Sequence, residues 1–155
     1  MTVLLAAVAF VVMEPVTYAV HRWVMHGLGE RLHRSHHQPP KGRWEANDAF
    51  PVLFASVVLV ALALGFNVGG LGALVPIGVG ITLYGLAYAL VHDVYIHGRL
   101  PLFRGRRFAL LDRLADAHRI HHLYNGEPYG MLLPVVPAEL RERAARTTRD
   151  PLTRA

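Results

Sequence analysis

The ten histidines of this chain fall into four groups: His21 and His26; His33, His36 and His37; His92 and His97; His118, His121 and His122. The pattern is H-x4-H followed by H-x2-H-H. It occurs twice and leaves no histidine over. A single isolated histidine is ordinarily a packed, hydrogen-bonded residue, but a duplicated pattern that uses every histidine needs another cause. Imidazole is the commonest metal-ligand side chain, because one ring nitrogen is free at neutral pH. In H-x2-H-H the rings sit at i, i+3 and i+4, on one helix face, so the trio can point at one small volume. In H-x4-H the two rings lie about 140° apart on an ideal helix. Both can face a common site only if the helix widens locally, as in a π-bulge, or if the rings straddle different metals. Ten candidate ligands are too many for one ion, whereas two ions with four or five nitrogens each fit the count. An all-imidazole set differs from the carboxylate-rich di-iron bundles, in which ligand helices supply Glu. Zinc also accepts imidazole, so ligand type alone does not fix the metal, but a closed zinc site needs only four ligands.

Three apolar runs must position these groups. Thr2 to His26 has Glu14 as its only acid, followed by Pro15. It has no preceding basic segment and no small-residue cleavage site, so it is expected to stay in place as an anchor. Phe50 to Phe66 spans about 26 Å as a helix and Leu71 to His97 about 40 Å, against a hydrocarbon core of about 30 Å. Asn67–Gly70 between them reads as a tight turn. Pro76 and the Gly72, Gly78, Gly80 spacing allow a second reading, with the third run split into a re-entrant or additional segment. Each H-x4-H closes an apolar run, and each H-x2-H-H lies in the polar stretch just after.

Residues 1–21 and 44–98 contain no Lys or Arg, and all sixteen lie in 22–43 and 99–154. The positive-inside rule then puts residues 27–49 and 98–155 in the cytosol, with the N-terminus and the Asn67–Gly70 turn opposite. The expected fold is an all-α integral membrane protein of about three (with a split third run, four) transmembrane helices, forming one domain over 1–155. A cytosolic helical cap would carry a histidine-rich two-metal site. Leu110–Tyr124 and Ala138–Thr147 read as amphipathic helices. Leu100, Leu102 and Phe103 beside Arg104, Arg106 and Arg107 read as an interfacial segment on an anionic lipid surface.

Glu14, Tyr18 and His21 share one helix face at i, i+4, i+7. An acid inside the membrane is costly and normally partnered. Glu14 is therefore read as an acceptor or proton relay beside the metal ligands, with Tyr18 in the same role. Tyr84 and Tyr88 lead to His92 at i+4 steps, as cavity lining or as an interfacial belt. Asp93, adjacent to His92, is a candidate to orient an imidazole.

The chain has no cysteine, which excludes disulfides, thiolate metal sites and an internal iron–sulfur cluster. No glycine-rich nucleotide loop follows a strand, so any reducing equivalents must come from outside. The +5 formal charge is distributed as a topology signal rather than a nucleic-acid footprint. A metal transporter or sensor is the competing class, but transport needs polar residues along the membrane path, and here the histidines gather at one face.

The pattern resembles the fatty acid hydroxylase and sterol desaturase superfamily of membrane non-haem di-iron enzymes, and within it the bacterial β-carotene hydroxylases. The residues that carry the resemblance begin with Met13-Glu14, Tyr18 and His21-Arg22-Trp23-Val24-Met25-His26-Gly27. They continue through His33-Arg34-Ser35-His36-His37, Asn47-Asp48, Thr82-Leu83-Tyr84-Gly85, His92-Asp93, His97 and Ala117-His118-Arg119-Ile120-His121-His122. The match runs from about Met13 to His122 and thins beyond it. The resemblance implies two iron ions on the ten histidines, O2 as co-substrate and a ferredoxin-type external donor. It also implies hydroxylation of carbon 3 on carotenoid β-ionone rings, from β-carotene through β-cryptoxanthin to zeaxanthin, at the cytosolic side of a bacterial inner membrane. A carotenoid ketolase or a fatty acyl or sterol hydroxylase shares the same histidine groups.

Overall fold

A computed structural model describes residues 1–38 and 44–152. Lys41 and Arg43 of the first basic stretch and Arg154 of the second lie outside the described residues. Helix α1 (Thr2–Ala19) runs on into a π-helical segment, Val20–Leu28. A short α2 (Glu30–His33) follows. A single 3-10 turn, Ala46–Asp48, then leads into α3 (Ala49–Asn67). Helix α4 (Leu74–Ala89) continues into a second π-helical segment, Leu90–Ile96. Helices α5 (Ala109–Tyr124) and α6 (Ala138–Ala145) complete the chain, and there is no strand among the described residues.

Three helical stretches are long and apolar enough to cross a membrane: Thr2–Leu28, Ala46–Asn67 and Leu74–Ile96. The third apolar run is thus one helix, and the split reading is set aside. The reason lies in where Pro76 falls. It occupies the first turn of α4, where its missing N–H has no intrahelical acceptor to lose. The turn between α3 and α4 places Gly70 at φ +84°, a left-handed conformation open to glycine.

Helix α4 packs between α1 and α3. Two glycines permit this. A Cβ at Gly80 would strike the Ala6 carbonyl and Ala9 of α1, and one at Gly78 would lie 2.6 Å from a Leu62 methyl of α3. Small residues give this close approach in membranes, where apolar burial against lipid tails supplies little drive. The outer faces stay apolar and exposed, with Val58 the one buried residue of α3. That is the surface of a helix bathed in lipid. Two hydroxyls inside the spans bond to their own helix: Ser56 Oγ donates to the Val52 carbonyl at 2.8 Å, and Thr82 Oγ1 to the Gly78 carbonyl at 2.8 Å.

Beyond the spans, α5 lays its buried face, including Leu114, Ala117 and Ile120, under the π-helical end of α4. Val91, Leu114 and Met131 form a small apolar core there. Leu100 and Leu102 are exposed beside Arg104, Arg106 and Arg107, as expected of an interfacial segment, whereas Phe103 is half-buried and packs edge-on against Tyr95 and Phe108.

Candidate metal centre

Of the two ways for an H-x4-H pair to serve the site, a widened helix or rings on different metals, the widened helix is present at both places. Residues five apart stack one turn above another when hydrogen bonds run i→i+5. His97 N–H donates to the His92 carbonyl at 2.9 Å, a bond of that type between the two histidines themselves. The His92 and His97 ring centroids are 4.6 Å apart, and those of His21 and His26 are 5.0 Å apart. Gly27 breaks the first π segment with φ −118° and ψ −107°, and Gly29 N–H closes it on Val24 at 2.7 Å. The chain then turns into α2 and brings His33, His36 and His37 back over His21 and His26.

All ten Nε2 atoms converge, in two groups. His21, His26, His33, His37 and His121 form one, and their candidate ligand atoms lie within 4.8 Å of one another. His36, His97, His118 and His122 form the other. His92 joins this second group, its Nε2 3.0 Å from that of His36. The trio expectation is corrected here. An H-x2-H-H does not aim at one volume, because its i and i+4 rings serve one group while its i+3 ring, rotated aside, reaches the other. His36 crosses from the first repeat to the second group, and His121 from the second repeat to the first.

The outer nitrogens of five rings point to the proton form those rings take. His21 Nδ1 donates to the Tyr129 carbonyl at 2.9 Å, and His121 Nδ1 to the Gly126 carbonyl at 2.6 Å. His33 Nδ1 meets Asn47 Oδ1 at 2.7 Å. His36 Nδ1 meets a Glu45 carboxylate oxygen at 3.2 Å, and His92 Nδ1 meets Asp93 at 3.2 Å. A neutral ring with its proton on Nδ1 carries only a lone pair on Nε2. Yet His21 and His33 bring these nitrogens to 3.1 Å, and His36 and His92 to 3.0 Å. Two lone pairs at that distance repel and cannot share a hydrogen bond, so each group is shaped for a cation between its nitrogens. Five further inward Nε2 pairs are spaced 2.9–3.2 Å. Adjacent octahedral ligands at a metal–nitrogen distance of about 2.1 Å lie about 3.0 Å apart, and tetrahedral ones about 3.4 Å. The spacing fits high coordination, as the number of ligands does.

Burial keeps the rings neutral. Desolvation pushes His33 down to about 4, and neighbouring histidines add to it while Asn47 opposes it. Desolvation also holds His37, His118, His121 and His122 well below their ordinary value. Glu45 is held below the usual carboxylate range, first by the His36 N–H and then by Arg99.

The candidate accessory residues are placed unevenly. Asp93 does meet His92, since π-helical winding turns its carboxylate toward the ring. Tyr18 OH donates to Glu127 at 2.6 Å and accepts from Arg22, and its ring packs edge-on against Tyr129. Glu14 lies elsewhere than expected: its hydrogen bonds go to Tyr84 OH at 2.6 Å and to the backbone N–H groups of Met131, Leu132 and Leu133 at 2.9–3.1 Å. It ties the loop after α5 to α1. Residues given no role at the site from the sequence, Asn47 among them although the resemblance included it, carry much of it. Glu45, Asn47, Gly126 and Tyr129 each accept from a histidine Nδ1, two of them through backbone carbonyls that no side-chain pattern reveals. The available signal for that loop was Asn125, whose left-handed φ of 52° caps α5 and turns the chain back over His121.

The fatty acid hydroxylase family model matches residues 6–137. The likeness therefore continues past His122 through the loop that accepts from His21 and His121. The chain is 41% identical over 151 residues to the beta-carotene hydroxylase of Pseudescherichia vulneris, covering 92% of this chain and 85% of that protein. It is 39% identical over 148 residues to the beta-carotene hydroxylase of Pantoea ananas, covering 90% and 83%. With the chloroplastic beta-carotene 3-hydroxylase 1 of Arabidopsis thaliana it shares 39% identity over 126 residues, 79% of this chain and 40% of that longer one. No solved structure matches the fold. With the family match spanning most of its length and the ten histidines gathered at one end of its membrane helices, this chain belongs to the fatty acid hydroxylase family.

Proposed function

We propose that residues 1–155 act as one membrane-bound domain that holds two iron ions on its ten histidines and hydroxylates carbon 3 of carotenoid β-ionone rings. β-Carotene would pass through β-cryptoxanthin to zeaxanthin. The observation that carries this reading is an apolar cleft of about 520 Å³ between α1, α3 and α4. Met13, Phe54, Val58 and Ile81 line it, and His21 and His92, one from each histidine group, stand at its polar end. Clefts of this size hold ligands of drug size. One ring of a carotenoid fits that description, with the polyene remaining among the lipid tails. The names of the relatives supply the substrate class, and the Arabidopsis relative's name supplies the position on the ring.

The chain's own residues position and shield. Tyr88 lays its ring against His92, centroids 4.9 Å apart, and forms a wall of the cleft at the histidines. The apolar lining excludes water from the C–H bond presented there. Reduced iron, when bound, supplies the activation of O2 that attack on an unactivated C–H bond requires. One oxygen atom enters the product and the other leaves as water, balanced by two electrons and two protons. The chain has no cysteine to hold an iron–sulfur cluster and no glycine-rich nucleotide loop, and the proposed electron source is an external carrier of ferredoxin type. The concentration of Lys and Arg at the histidine end supports a cytosolic site in a bacterial inner membrane.

The test is expression in cells that make β-carotene, under 18O2, with mass spectrometry of the extracted pigment. The expected product is a labelled 3-hydroxy carotenoid. Unlabelled hydroxyl oxygen refutes the oxygenase reading, and a labelled 4-keto product moves the assignment to a ketolase.

A further inference from the structure

The two histidine groups differ in what stands behind them. In the first, the Nδ1 partners of His21, His121 and His33 are neutral: the carbonyls of Tyr129 and Gly126 and the amide of Asn47. In the second, those of His36 and His92 are the carboxylates of Glu45 and Asp93. One residue joins these two carboxylates. Arg99 Nη2 lies 3.1 Å from Glu45 Oε2, and its Nε lies 3.7 Å from Asp93 Oδ1. Its Nη1 binds Asp48 at 2.7 Å, and its backbone N–H donates to the Asp93 carbonyl at 2.8 Å. Asp48 in turn accepts from Glu45 N–H at 3.0 Å, so the acids are braced against each other as well as against Arg99. Three acids against one arginine leave a net negative shell behind the second group.

We infer that the two metal positions are inequivalent, and that Arg99 is the positioning residue that makes them so by holding Glu45 and Asp93 against His36 and His92. A carboxylate behind an imidazole orients the ring and raises its basicity as a ligand, and a nearby negative charge favours a bound cation. The second group therefore holds its ion more tightly than the first. The guanidinium fork matters because it spans acids arriving from two different elements, Glu45 ahead of α3 and Asp93 in the π segment after α4. The inference rests on the proposal that both groups bind metal.

The purified, iron-loaded protein is titrated with a chelator, and iron per chain is measured. Wild-type protein is expected to lose its iron in two steps. Glu45→Gln and Asp93→Asn should shift the later step toward the earlier by about 10–100-fold in chelator concentration, the usual effect of losing such a partner. Arg99→Ala should do the same, and Arg99→Lys should restore it only partly. Asn47→Ala, which removes a partner from the first group, should move the early step alone. The 57Fe Mössbauer spectrum should show two quadrupole doublets, of which Glu45→Gln perturbs one. A single step with a single doublet in wild-type protein overturns the inference without any variant, while leaving a two-iron hydroxylase intact. Equal displacement of both steps by Glu45→Gln overturns it too. A chain that binds no iron overturns the functional reading and this inference together.

Discussion

Glu14 offers the sharpest quantitative test of how the site is held. Its carboxylate accepts from three consecutive backbone N–H groups, Met131 to Leu133, and from Tyr84 OH, which is 3% exposed. Removing the carboxylate in Glu14→Ala leaves those N–H groups without their acceptor beside the membrane helices. Each orphaned group costs about 1–3 kcal/mol. Leu133 is exposed and recovers most of its share from water, so Met131, Leu132 and the buried Tyr84 hydroxyl dominate, and at the low end of that range the loss is about 3 kcal/mol. For a chain of this size that lowers the melting temperature by about 6–12 °C. The damage should also reach the metals. The loop that Glu14 anchors carries the Gly126 and Tyr129 carbonyls that fix His121 and His21 in the first group. Glu14→Ala is therefore expected to lower first-group occupancy, whereas Glu14→Gln, which keeps an acceptor oxygen, should fall between it and wild type. Thermal unfolding in detergent and iron per chain are the two measurements. A Glu14→Ala protein with wild-type melting temperature and full iron would refute the anchoring argument.

His36→Ala and His37→Ala, neighbours in sequence, should each lower occupancy at a different metal position, and the double variant should weaken both; a double variant that keeps one site fully occupied contradicts the exchange of rings between groups. Val58→Trp should crowd the apolar cleft and cut turnover of β-carotene about 10-fold or more, by analogy with pocket discrimination, while iron content stays unchanged; loss of iron would mean that Val58 acts on the metal site instead. In metal-free protein, stability should fall as pH drops from about 6.5 toward 4, because the unfolded chain takes up protons that folded His33 refuses until about 4. The slope is about 1.4 kcal/mol per pH unit for each such histidine, and thermal melts that do not change across this window would count against neutral burial. Cysteines introduced at Glu45 and Asp112 should resist an impermeant thiol reagent in intact cells and react after lysis; reaction from outside reverses the proposed orientation.

Much of this site was legible in the chain itself because local rules govern it. Three apolar runs and the placement of Lys and Arg set the membrane helices, since length and hydropathy are summed along the sequence and need no tertiary partner. The five-residue spacing allowed either a widened helix or rings on different metals; the helix widens at both H-x4-H pairs, His21 and His26 within one π-helical segment and His92 and His97 in and at the end of the other. What spacing could not reveal was which ring joins which group. His36 and His37 leave the chain only one residue apart, about 100° around a helix, and their assignment to different groups depends on where α5 and the end of α4 come to rest. Nor could it reveal Glu14's partners, 70 to 119 residues away, or the carbonyls of Gly126 and Tyr129. Backbone acceptors have no residue type to recognise, so only the folded path of the loop makes them part of the centre. Arg99 shows the same limit: its charge was visible in the sequence as a topology signal, but its place among Glu45, Asp48 and Asp93 exists only once two distant segments are packed together.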